Sequence, residues 1–357
     1  MVLVVGAVVA LLIGLVLRPD PPRLPERAAG DQALADAART AAGDRREALA
    51  VALVTPDGTR TAVLGAPADA EMEIGSLTKT FTGALYVDAV ERGEVEPTTR
   101  LGDVLDLGDS PAAGVTLGDL ATHTSGLPRL PSSPARFASS LWAQVTGGNP
   151  YGEDLPTLLE QARGVDVDAD RDEPVYSNLG FSLLGHAVAA AADTDYATLV
   201  DERISRPLEL GSVSVPRSAD DLTDRAVLGR STAGRTMDAW TGDDLAPAGG
   251  VRANVDDLAA YVRALLDGSA PGAAALDPVR DYAGDEQIGA AWLVTERDGR
   301  TITWHNGGTG GFSTWLGLDR DAGTAVVLVS ATPESVDEAG MTMLLDQTAS
   351  ERAEEAR

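Results

Sequence analysis

Ser76 and Lys79 are the residues whose types and spacing most directly suggest chemistry. Lys79 is the only lysine among the 28 basic residues of the chain, and the others are all arginine. A guanidinium keeps its proton at any accessible pH, whereas an ammonium among apolar or cationic neighbours can become a neutral amine and act as a base. A serine hydroxyl is a weak nucleophile unless such a base lies within hydrogen-bond reach. In Ser76-Leu77-Thr78-Lys79 the two residues stand three apart, and that spacing puts both on one face of a helix. With Ser76 at the helix start, the positive end of the helix dipole and the serine's own backbone N–H favour an oxyanion there. The bland alternative is a coding bias toward arginine that left one lysine behind.

Two further stretches supply groups that acyl transfer needs. Tyr176-Ser177-Asn178 opens a predicted helix: a phenol can pass a proton, and an amide can bond a substrate carbonyl or an ammonium. His305-Asn306-Gly307-Gly308 ends a predicted strand, where glycine permits close backbone approach to a ligand and the N–H of Gly308 can be a second oxyanion donor. His123 and His186 are read as structural, the first fixing a turn through a bond to backbone. Trp292, Trp304 and Trp315 alternate with small residues and are read as sheet packing.

The elements that must position these groups follow from periodicity. Residues 32–42 read as an alanine-rich helix, 46–54 and 59–64 as a hairpin about Pro56-Asp57-Gly58, and 76–92 as a helix with apolar positions at four-residue steps. From about 95 to 270 the pattern is mostly helical, over 117–122, 155–162, 179–191, 196–204 and 255–266, with Asn254 as N-cap and Gly268 as stop. Four strands are expected at 288–295, 301–306, 312–318 and 324–331, then a helix from 334 to about 351. The order predicts an α/β (α+β) body: an antiparallel sheet built from both chain ends, flanked by terminal helices and carrying a mostly helical inserted subdomain.

Composition narrows the function. A formal net charge of −27 argues against nucleic acid and anionic lipid headgroups as partners. With no cysteine and three histidines that lack metal-ligand spacing, neither a thiolate nucleophile nor a metal or other cofactor is expected. Residues 1–17 are an unbroken apolar run, read as a membrane anchor or uncleaved signal, and 18–31 as a proline-rich linker. The hydrolase domain then spans 32–352 and a tail 353–357. Arg18 and Arg23 after the run would favour a cytoplasmic body under the positive-inside rule, so charge leaves the orientation open.

Taken together and in this order, Ser-x-x-Lys, Tyr-x-Asn and His-x-Gly resemble the serine β-lactamase and penicillin-binding-protein superfamily. The likeness is to its class C β-lactamase-like group of DD-peptidases, D-aminopeptidases and esterases, and runs from about 45 to 335. Ile74-Gly75, Thr122-His123-Thr124-Ser125-Gly126-Leu127-Pro128, Ala248-Gly249-Gly250-Val251 and Gly307 to Phe312 also match. The resemblance implies Ser76 as nucleophile, Lys79 as its base, Tyr176 in proton transfer and Asn178 as an orienter, with His305, Gly307 and Gly308 at the substrate. It implies D-alanyl-D-alanine carboxypeptidase-like or D-amino acid peptide hydrolysis on an extracytoplasmic face, with esterase or β-lactamase action and a catalytically silent wall-peptide binder as alternatives. His305-Asn306-Gly307 replaces the Lys-Thr-Gly of many β-lactamases, which favours the peptidase and esterase branches. A substrate carboxylate calls for a cation, with His305 or Arg252 as the candidates.

Overall fold

The computed structural model describes residues 21–131, 147–150, 152–168 and 173–355. The apolar run 1–17 and the start of the linker lie outside them. Among the described residues no helix is long and apolar enough to cross a membrane.

The two ends of the chain meet in one sheet. Strands β1 (Ala29–Gly30), β2 (Leu49–Thr55) and β3 (Gly58–Leu64) come from the first quarter of the chain. A short pair, β4 (Met72–Glu73) and β5 (Arg252–Ala253), stands apart from it. The last third supplies β6 (Arg280–Asp281), β7 (Gln287–Ile288), β8 (Leu293–Arg297), β9 (Arg300–Gly308), β10 (Ser313–Asp319) and β11 (Thr324–Ser330). The nine-stranded sheet runs β1-β3-β2-β11-β10-β9-β8-β7-β6, with β11 closing antiparallel onto β2 so that Val51 faces Leu328.

Both faces of the central strands are buried, which explains their nearly continuous apolar sequence. Leu49, Val51 and Leu53 of β2 join Val326 and Leu328 of β11 under two helices, α1 (Gln32–Ala42) and the terminal helix Asp337–Glu355. Ala50, Ala52 and Val54, pointing the other way as strand geometry requires, enter the larger core, where α4 (Val255–Leu266) lies on β2 and α2 (Thr78–Glu91) and α3 (Asn178–Ala191) complete the cluster. The N-cap read from sequence is in place, with Asn254 accepting from the N–H of Asp257, and Asp31 caps α1 in the same way by accepting from the N–H of Leu34.

Four departures from the sequence reading have local causes. Arg46 does not start the first strand. It is buried, and its guanidinium ties the carbonyls of Ala42, Glu334 and Ser335 together, which also delays the last helix to Asp337. The expected strand 288–295 is split into β7 and β8, because Ala290 and Ala291 donate instead to Ala275 and Ala121 outside the sheet. The helix at 196–204 is α-helical only over Tyr196–Val200 and widens into a π-helical turn over Asp201–Ser205. The helix expected to open at Ser76 begins instead with a 3-10 turn, Gly75–Leu77, before α2 proper.

Candidate active site

The Ser76 turn is clamped from three sides. The hydroxyl of Thr314 on β10 donates to the carbonyl of Ile74, the N–H of Ile74 to Val251, and the N–H of Val251 to the hydroxyl of Thr78. Gly75 has φ +51, and a Cβ there would stand 2.7 Å from the backbone nitrogen of Gly308. A Cβ on Gly307 would stand 2.9 Å from the backbone nitrogen of Ser76. The end of β9 therefore lies directly against the turn that carries the serine, a contact only glycine permits at both places.

Lys79 is fully buried. Its Nζ donates to the carbonyl of Ala248 and lies 3.1 Å from Ser76 Oγ. The rings of Tyr176 and Phe181 stand 4.8 and 5.8 Å from it. Burial first, and the positive charge of Arg129 second, hold the Lys79 pKa well below the ordinary lysine range. A hydroxyl within hydrogen-bond distance of an amine biased toward neutrality can surrender its proton to that amine.

Ser76, Asn178 and Gly308 line one cleft, together with Arg129, Trp240 and Ala248. Asn178 begins α3, where Ser177 caps the helix by accepting from Gly180. The Oδ1 atom of Asn178 is buried and has no hydrogen-bond partner among the described residues. Tyr176 is half-buried just before it, with its ring centroid 4.6 Å from that of His123 and 6.5 Å from that of His305. The Ser177 N–H donates to Nδ1 of His123, so that histidine fixes the turn through backbone. Nε2 of His186 meets the carbonyl of Asp243.

Two candidates for receiving a substrate carboxylate do not suit that task. His305 is 3 % exposed, and burial followed by the Lys79 charge takes its pKa down to about 3. It is therefore a neutral ring, with Nδ1 against the Asn306 carbonyl. Arg252 is 1 % exposed and spends its guanidinium on Glu73, at 3.0 Å, and on the carbonyls of Glu71 and Val227. Glu73 in turn accepts from the Trp240 N–H and bonds the Thr309 side chain, so this buried pair braces the two loops beside the cleft.

Arg129 is the exposed cation in the cleft that sequence reasoning missed. Its only sequence signal was its place directly after Pro128, at the end of the His123 to Pro128 stretch. Trp240 gave no signal, since it falls in an aperiodic stretch.

A sequence model of the family described as Beta-lactamase matches residues 33–350. The chain is 34 % identical over 161 residues to the D-alanyl-D-alanine-carboxypeptidase/endopeptidase AmpH of Escherichia coli (strain K12), covering 43 % of this chain and 38 % of that protein. It is 27 % identical over 302 residues to a β-lactamase-like protein of Arthroderma benhamiae, covering 74 % of this chain and 49 % of that one. The chain thus spans less than half the length of either relative. The solved structure of a β-lactamase/D-alanine carboxypeptidase from Pseudomonas syringae superposes with a TM-score of 0.74 at 16 % identity, over 89 % of this chain and 99 % of that one. At that identity the likeness is one of fold.

Proposed function

The chain belongs to the β-lactamase family, and from that premise we propose that it is a serine hydrolase working through an acyl-enzyme, of the D-alanyl-D-alanine carboxypeptidase type. The observation that carries the proposal is the 3.1 Å approach of a fully buried lysine amine to Ser76 Oγ. Ser76 attacks an amide or ester carbonyl while Lys79 takes its proton. Tyr176, whose ring lies against the Lys79 amine, passes a proton to the leaving group. The N–H groups of Ser76 and Gly308 hold the oxyanion, and Asn178, with its orphaned Oδ1 in the cleft wall, accepts from a substrate amide N–H. Water then releases the acyl group and restores the serine.

Peptide substrates with D-amino acids are supported by the named activity of the Escherichia coli relative and by the neutral His305 standing where many β-lactamases have a lysine. The run 1–17 is read as tethering the hydrolase to a membrane, with its body on the extracytoplasmic side where such wall peptides lie.

Intact mass after incubation with a labelled penicillin or a fluorophosphonate tests the assignment. One adduct is expected on the wild type and none on Ser76→Ala. No adduct on the wild type, or an equal adduct on the alanine variant, contradicts it.

A further inference from the structure

Arg129 is out of keeping with its surroundings. The chain carries 55 acidic residues against 28 basic ones, and many of its arginines stand within ion-pair distance of a carboxylate, as do Arg203 with Asp88 and Glu94, and Arg280 with Asp119. Among the described residues Arg129 has no such partner, although it is exposed and lines the cleft beside Ser76. It is held firmly at its base, since its carbonyl accepts from the N–H groups of Asn178 and Leu179 at the start of α3. Its guanidinium carbon stands 5.2 Å from the Tyr176 ring centroid, across a ring that also faces the Lys79 amine. Backbone anchoring and an aromatic face fix where the charge sits, and among the described residues no carboxylate lies within ion-pair distance to neutralise it.

Resting on the hydrolase reading, we propose that Arg129 is the specificity residue of this cleft, pairing with a carboxylate that the substrate carries near its scissile carbonyl. A planar guanidinium offers a carboxylate two parallel hydrogen bonds, which sets orientation as well as attraction. Such a receptor has particular value here, because the field of a protein with net charge −27 repels anionic substrates unless a local cation offsets it. Occupation also feeds back on the base. The charge of Arg129 helps depress the Lys79 pKa, so a bound carboxylate that offsets this charge makes the amine a stronger proton acceptor once substrate is seated.

Substrate pairs matched except for charge test the proposal. One pair is p-nitrophenyl hydrogen succinate against its methyl ester, with the charge on the acyl side. The other is N-acetyl-D-Ala-D-Ala against its carboxamide, with the charge on the leaving side. In at least one pair the wild type should favour the anion by kcat/KM. Arg129→Gln should cut that preference by about 10- to 100-fold, the range expected for one charge-assisted bond, and Arg129→Lys should restore part of it. The pair that responds identifies the side on which the carboxylate lies. Binding of the same pairs to Ser76→Ala and to Ser76→Ala/Arg129→Gln, followed by calorimetry, reads the same preference without turnover. Failure of the wild type to label at Ser76 would remove the hydrolase reading and leave this binding arm to decide Arg129. If Arg129→Gln leaves both preferences unchanged in rate and binding, or if the wild type has none, the proposal is overturned.

Discussion

Lys79 and Arg252 are buried to the same degree behind one cleft, yet their surroundings treat positive charge in opposite ways. Arg252 faces Glu73 at 3.0 Å and two backbone carbonyls. Burial pushes the Glu73 carboxyl up and the guanidinium down, and their mutual attraction opposes both shifts. Lys79 has no carboxylate within ion-pair distance among the described residues, only the Ala248 carbonyl, the Ser76 hydroxyl and two aromatic rings. Burial then acts unopposed, with Arg129 adding to it. A buried cation that keeps an anion stays charged and structural, whereas one denied an anion is driven toward the neutral form that can accept a proton. The difference also accounts for residue type, because lysine can make that change and arginine cannot.

The largest break in this contrast is Lys79→Arg. The variant puts a guanidinium that cannot become neutral into a buried site with no carboxylate within ion-pair distance among the described residues, so it should unfold at lower urea than the wild type. In the protein that remains folded, acylation of Ser76 by a fluorophosphonate should slow by about 10²–10⁴, the usual worth of general-base help. Stopped-flow or quenched mass measurement would show it, and near-normal labelling would end the general-base role. Glu73→Gln should break the other half. It strands the Arg252 charge in a buried site, a change that costs about 3–5 kcal/mol when one partner of such a pair is removed. Urea unfolding should record that loss. Labelling of Ser76 should fall by a smaller factor than in Lys79→Arg, through loosened support of Trp240 and Thr309. An unchanged unfolding midpoint would mean that the pair braces nothing.

The floor of the cleft was legible in the sequence because its chemistry is local. Ser76 and Lys79 are joined by one helical turn, and Asn254 caps its helix within three residues of itself. The sheet, too, was visible as two sets of apolar runs at the chain ends. The walls were not legible in the same way. Arg129 and Trp240 reach one cleft from distant segments, and no periodicity reports such convergence. The fate of a buried cation was equally hidden. Arg252 suited carboxylate recognition until the pairing of β4 with β5 set Glu73 opposite it, and His305 suited it until burial made it neutral.

The chain's single lysine allows the central claim to be measured without ambiguity of assignment. In protein labelled with 13C and 15N at lysine, Lys79 supplies the one side-chain Nζ and Cε signal to follow against pH. Deprotonation should occur well below the ordinary lysine value of about 10.4. Ser76 acylation should rise with pH through the same midpoint, because the neutral amine is the reactive form. Arg129→Gln should move both midpoints upward, since it removes a charge that disfavours the ammonium. A Cε signal that titrates at or above the ordinary value, with acylation already complete at lower pH, would contradict the account.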